Sequence, residues 1–158
     1  GKGNTISNLY INRNDYFIGF FGYISGNNTF KNINLKDVEI INTRDNSGGI
    51  IGYSESTTLN IYNSTISGKL ESTGHIAGIL GYVTRNITSI KIEDCVNNSD
   101  VISGYASGII SQIDDGPEVE IKNCINNGNI NCNTDYGYAA GIIAYTRKFF
   151  TKIYNYNG

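Results

Sequence analysis

The chain has 158 residues and a formal net charge of −2, with 39% hydrophobic side chains and only 16% charged ones, against about 25% charged in typical soluble domains. Asn and Ile, about two dozen of each, fill that gap, and the Ile, Val and Tyr content is enough to build a core, which excludes a disordered chain. A pI near 5.3 argues against a nucleic-acid partner, whose binders carry a basic stripe, and no apolar run approaches the ~18 residues of a membrane-spanning helix.

From the N-terminus, Leu9-x-Ile11 looks like the second motif of an early, shorter coil. The main motif then appears as Ile18-Gly19-Phe20-Phe21-Gly22-Tyr23 and returns as Gly48-Gly49-Ile50-Ile51-Gly52-Tyr53. Its later copies are Ala77-Gly78-Ile79-Leu80-Gly81-Tyr82, Ser107-Gly108-Ile109-Ile110-Ser111-Gln112 and Ala140-Gly141-Ile142-Ile143-Ala144-Tyr145. Aligned on the first glycine, the steps are about 30, 29, 30 and 33 residues. A second motif runs out of phase with the first. It reads Ile33-x-Leu35-x-Asp37-Val38, Leu59-x-Ile61-x-Asn63-Ser64, Ile90-x-Ile92-x-Asp94-Cys95 and Val119-x-Ile121-x-Asn123-Cys124. A third short strand follows around Ile40, Leu70, Val101 and Ile130.

Helical repeats of this length need apolar residues at i, i+3, i+4 and i+7 over ten or more positions. Here short apolar runs alternate, are β-branched, and are separated by Gly, Asn, Ser and Asp, which is strand and turn chemistry. Three short strands cannot bury an apolar face alone, so the copies must stack. The expectation is an all-β fold, a parallel β-solenoid in the form of a right-handed three-sided β-helix with about five coils. A β-propeller needs about 40–45 residues per blade, more than the period allows.

Stacking predicts ladders. Asp37, Asn63, Asp94, Asn123 and Asn155 fall at one phase, as do Val38, Ser64, Cys95 and Cys124. Small polar residues at a coil corner hydrogen-bond the turn backbone, so the Asn and Asp positions read as structural. Ile153-Tyr154-Asn155 begins a further coil that stops at Gly158. Residues 1–158 are therefore expected to form one solenoid segment, excised from a longer protein or capped by a partner. No basic-then-apolar leader opens the chain, so a secretion signal is expected to be removed or to lie outside it.

The run Asn123-Cys124-Ile125-Asn126-Asn127-Gly128-Asn129-Ile130, followed by the Gly141-Ile142-Ile143-Ala144-Tyr145 copy, resembles the GLUG-type repeat. That repeat has the form N-C-x-x-x-G-x-V, then G-G-[LI]-[VI]-G-Y. The opening from Ile6 to Tyr23 is similar to the entry coil of the same arrays. The resemblance implies a solenoid in a large bacterial surface or secreted protein, such as an adhesin or the non-catalytic region of an IgA1-type peptidase. Ser111-Gln112 in place of Gly-Tyr, and Ser64 in place of Cys, depart from the pattern.

Little in the sequence points to catalysis. Cys95 and Cys124 stack one coil apart at about 4.8 Å, within the Cα range of a disulfide, but parallel stacking aims both Cβ vectors the same way, so buried thiols are expected. Cys132 has no stacked counterpart. One His and no C-x-x-C argue against zinc, and no cofactor is expected. The acidic residues are scattered, and Asp114-Asp115-Gly116-Pro117-Glu118 reads as a solvated loop. His75, after the Ser72-Thr73-Gly74 turn, reads as ordinary surface. Sequons at Asn27, Asn63, Asn86 and Asn97 follow from the high Asn content and imply no glycosylation.

The Gly-Ile-Ile-Gly-Tyr ladder is the candidate site. Strict alternation would place Phe21, Ile51, Leu80, Ile110 and Ile143 on an outward apolar stripe beside Tyr23, Tyr53, Tyr82 and Tyr145. Such a stripe would mark an interaction surface, with Tyr suited to sugar or protein contact. The alternative is a strand buried on both sides. The expected function is a non-enzymatic repeat module of an extracellular or cell-surface protein, acting as a stalk or adhesive surface. Its partners would be a host glycan, a host protein or neighbouring coils of the parent protein. Alternatives are a carbohydrate-active β-helix enzyme, or its inactive remnant, and a self-assembling fibre element.

Overall fold

A computed structural model describes residues 2–85, 87–115 and 118–147, and the backbone of 151–154. Every described element is a strand, and every strand pairing is parallel. Three sheets of seven, eight and four strands form three walls. The first wall is built on Asn34–Asn42, Thr65–Ser72 and Val96–Ser103. The second is made of Ser47–Gly48, His75–Ala77, Tyr105–Ser107 and Tyr138–Ala140. The third is led by the long strands Phe21–Lys31 and Ile51–Tyr62, and later coils divide it into two shorter strands each.

Register follows the repeat. Phe21 pairs with Ile51, Ile51 with Leu80, Leu80 with Ile110, and Ile110 with Ile143, matching the 30, 29, 30 and 33-residue steps of the glycine motif. The chain is a β-solenoid of about five turns. Each coil donates its strand edges to the next, so stability accrues through neighbour contacts.

The core is a set of aliphatic rungs. Ile50, Ile79 and Ile109 are fully buried, and so are Ile51, Leu80 and Ile110. Each such side chain contributes roughly 1.5–3 kcal/mol relative to exposure. This corrects the outward apolar stripe: Ile51, Leu80 and Ile110 lie in the core. The cause is a bend at Gly49-Ile50 between the second and third walls, which lets two consecutive isoleucines both face inward. Beyond the bend, pairing passes directly from Ile51–Leu80 to Tyr53–Tyr82 and leaves Gly52 and Gly81 out. Tyr53 is consequently half-buried while Ser54 returns to the core. The corner is pinched, since a Cβ on Gly81 would lie 2.1 Å from the Ser47 carbonyl oxygen.

Two alignments shift in the first coils. The corner ladder is Asn32, Asn63, Asp94 and Asn123, because Lys31 pairs with Tyr62, Tyr62 with Glu93, and Glu93 with Lys122. Asp37 stands off it, in a bulge of the first wall between Leu35 and Val38, where its N–H donates to Ser67 Oγ at 3.3 Å. Phe30, in place of an aliphatic residue, hides the true phase: it pairs with Ile61. Asn155 lies outside the described residues. The four ladder residues all have positive φ, between 45° and 57°, a conformation that Asn and Asp tolerate better than other side chains. Asn63 Nδ2 donates to Asn32 Oδ1 at 2.7 Å and Asn123 Nδ2 to Asp94 Oδ1 at 3.1 Å, so the bonds run side chain to side chain along the axis. Leu9-x-Ile11 also falls at a different phase, with Ile11 pairing Ile40 in the third-strand position.

Next to that corner, Ser64, Cys95 and Cys124 stack, and Val38 does not join them. Ser64 Oγ donates to the Tyr62 carbonyl at 2.8 Å, and the Cys95 and Cys124 thiols to those of Glu93 and Lys122, both at 3.4 Å. All three cysteines are free thiols. Asn97 is fully buried, which removes that sequon from any glycan chemistry. Asn86 lies outside the described residues.

Candidate aromatic groove

Two ladders flank the pinched corner. The third wall contributes Tyr23, Tyr53, Tyr82, Gln112 and Tyr145, each four residues after the motif glycine. The second wall contributes His75, Tyr105 and Tyr138, each three residues before it. Phe17 and Asn46 extend this second ladder, because they directly precede the paired Ile18, Ser47 and Ile76. Both have positive φ, of 63° and 60°. Between the ladders runs a groove of about 630 Å³, also lined by Tyr16, Asp45 and Arg147.

The rings form a continuous chain. Tyr23 and Tyr53 stack at 5.7 Å between centroids with 13° between planes, and Tyr53 and Tyr82 at 5.5 Å with 8°. Phe17 closes on Tyr53 at 4.3 Å. His75 crosses the groove, edge-on to Tyr82 at 5.5 Å and tilted against Tyr105 at 4.4 Å. Tyr105 meets Tyr138 at 5.5 Å, and Tyr138 stacks on Tyr145 at 5.4 Å. Offset and edge-on pairs of this kind add about 0.5–1.5 kcal/mol each beyond burial.

Asp114 organises the polar floor. Its Oδ2 accepts the Tyr82 hydroxyl at 2.9 Å, its Oδ1 accepts Gln112 Nε2 at 3.1 Å, and Arg147 Nε lies 3.7 Å away. Burial, then the hydrogen bond to Asp114, pushes the Tyr82 phenol up to about 12. Tyr53 is also raised, by burial and then by the nearby Glu55 charge. Tyr23 is raised chiefly because its hydroxyl donates to Glu55. Burial lowers His75 and outweighs the opposing pull of Asp45 and Asp114. Its backbone N–H donates to Asp45 Oδ1 at 2.8 Å, and its Nδ1 is buried without a hydrogen-bond partner.

The structure therefore brings Tyr53, Tyr82 and Tyr145 together in one groove, with Tyr23 at the end of the same stack. It moves two residues out of their sequence-based places. Asp114 is buried at 8% exposure instead of lying in a solvated loop, and His75 is a groove residue instead of ordinary surface. Tyr105 and Tyr138 join the site from outside the sequence-based candidates, although an aromatic or His three residues before Gly78, Gly108 and Gly141 is a visible pattern. Among the described residues, no cluster of three or more His, Cys, Asp or Glu is placed to hold a metal ion.

With this geometry in hand, one likeness to a known protein stands out. The chain is 34% identical over 85 residues to Halomucin of Haloquadratum walsbyi (strain DSM 16790 / HBSQ001). The match spans 53% of this chain and 1% of Halomucin, so it concerns a small piece of a very much longer protein. No family model matches the chain, and no solved structure matches it either. The resemblance to GLUG-type arrays rests on its own motif residues.

Proposed function

We propose that the chain is a non-enzymatic repeat module of a large extracellular or cell-surface protein, and that the aromatic groove is its adhesive face. One observation carries this reading: from Gly49 onward each coil places a side chain three residues before and four residues after the motif glycine, and those side chains line one groove. A stalk alone requires only the inner rungs and the corner ladder. Tyr138 is 47% exposed and Tyr23 48%, more than packing between coils requires. The GLUG-type resemblance and the likeness to part of Halomucin both accord with a repeat region of a large surface protein. Asp114 is committed to Tyr82, Gln112 and Arg147, an arrangement that suits a positioning carboxylate better than a catalytic acid.

The test is a binding array of glycans and extracellular proteins probed with the folded chain and with a Tyr53→Ala, Tyr105→Ala double variant. The expected result is a ligand whose signal the double variant loses while its circular dichroism and cooperative melting persist. A ligand bound equally by the double variant would place the adhesive face elsewhere and sink the reading.

A further inference from the structure

The groove's chemistry narrows its ligand. We infer that it takes a neutral oligosaccharide lying along the solenoid axis, recognised at the Gln112 rung; this rests on reading the groove as the adhesive face. Coils rise by about 4.8 Å, and the ring centroids repeat at 5.7 and 5.5 Å. A linear ligand of similar repeat meets an equivalent pair of side chains at every unit. A groove of about 630 Å³ falls in the usual range for small-molecule sites, about 300–1,000 Å³.

Ring orientation separates the ligand classes. Tyr23, Tyr53 and Tyr82 stack nearly parallel, each with its neighbour's centroid 5.5–5.7 Å away, and Tyr53 and Tyr82 line the groove. A cationic ligand needs an open face within about 6 Å of a ring centroid, and between Tyr23, Tyr53 and Tyr82 a neighbouring ring already holds that place. A peptide that binds by strand addition pairs its backbone with a sheet edge, whereas these strands spend their edges on neighbouring coils. A polyol needs hydroxyl, amide and carboxylate partners at intervals, and the groove supplies them. Among the lining groups the Asp45 carboxylate offsets the Arg147 guanidinium, which also lies 3.7 Å from Asp114 behind the lining, so no spare positive charge faces the groove. Arg44, at the rim, is held 4.3 Å over the Tyr16 ring, and burial lowers the His75 pKa. An acidic sugar is disfavoured by that balance.

Gln112 sets the register. It takes the ladder place of a tyrosine, between Tyr82 and Tyr145, and folds its amide onto Asp114. The ring stack is interrupted there by a shorter side chain, over a floor of prearranged polar groups. Two buried lining atoms, His75 Nδ1 and Asn46 Oδ1, have no hydrogen-bond partner. Such orphans call for an explanation in a folded protein, and a turn of either side chain into the groove would offer it to a ligand hydroxyl.

The experiment titrates the full chain with neutral tetrasaccharides of glucose, mannose, xylose, galactose and N-acetylglucosamine. Oligogalacturonate serves as the acidic probe and choline as the cationic one. Tyrosine fluorescence is the readout, since the chain has 12 Tyr and no Trp, with calorimetry alongside. A neutral tetrasaccharide should bind saturably, and Gln112→Tyr should weaken it at least tenfold without lowering the melting temperature. Should Gln112→Tyr fail to fold, Tyr105→Ala must produce the same tenfold loss. Binding of oligogalacturonate or choline in preference to every neutral sugar overturns the inference and leaves the adhesive reading standing. A neutral sugar bound equally by Gln112→Tyr also overturns it. A chain that binds proteins on the array through Tyr53 and Tyr105, but no sugar, does the same.

Discussion

The Tyr82 hydroxyl donates to Asp114 Oδ2 at 2.9 Å, although the two residues are 32 positions apart, because stacking sets each coil's corner over the next. Burial, and then this contact, hold the phenol at about 12. With the folded value above the unfolded one, the stabilisation is present below pH ~10 and is lost as pH rises through about 12. In Asp114→Ala the Tyr82 titration should drop part of the way toward the ordinary ~10, with burial holding up the remainder, seen as earlier phenolate absorbance in an ultraviolet pH titration. An unchanged titration would mean that the hydrogen bond does not hold the phenol.

His75 works in the opposite sense. Burial lowers its folded value below the unfolded one, so its contribution is complete above pH ~6.5 and is lost as pH falls through the folded value. Wild-type stability should therefore begin to decline just below pH ~6.5, ahead of carboxylate protonation. His75→Phe keeps a ring against Tyr105 and Tyr82 but cannot titrate. Its denaturant midpoint should stay flat between pH 7 and pH 5, and a parallel decline in both proteins would rule His75 out as the source.

The repeat was legible because stacking imposes one chemical demand on every coil. Gly, paired β-branched residues and a corner Asn therefore recur at fixed steps, and pairing matches those steps residue for residue from Phe21 to Ile143. The face of each residue was less legible. Strict alternation assumes a straight strand, and the bend at Gly49-Ile50 turns both Ile50 and Ile51 inward. Asp37 entered the wrong ladder because Asn28-Thr29-Phe30 conceals the second motif of its coil, where Asn28 pairs with Leu59. His75 and Asp114 were misplaced for a different reason. Their burial arises from residues one coil away, and no local pattern records that.

Motif glycines should differ sharply in tolerance despite sharing one phase. A Cβ on Gly108 would lie 2.2 Å from the Gly141 carbonyl oxygen and 2.5 Å from Asn126 Oδ1, whereas among the described residues one on Gly141 meets only Asn126 Nδ2 at 4.0 Å. Overpacking against backbone typically costs about 1–3 kcal/mol or more. Gly108→Ala should therefore lose at least that in urea denaturation, while Gly141→Ala stays within about 0.5 kcal/mol of wild type. Equal losses would show that the glycines are needed for backbone conformation and not for the close approach of coils.

Thiol chemistry offers an independent check on stacking. Cys132 is only partly buried, whereas Cys95 is fully buried and Cys124 is 5% exposed. The neighbouring Cys124 thiol, with burial, pushes the Cys95 thiol up, and the same pairing lowers Cys124. Because the thiolate is the reactive form, iodoacetamide should modify Cys132 first, then Cys124, and Cys95 last. Reaction at Cys95 then requires coils to separate, so its rate should track unfolding and fall at least roughly a hundredfold below that of Cys132. Cys95→Ser should fold, since Ser64 holds the same rung position in the preceding coil and donates to the equivalent carbonyl. Peptide mass spectrometry after timed alkylation reads the order directly. Cys95 modified as fast as Cys132 would mean that the two coils do not stay stacked.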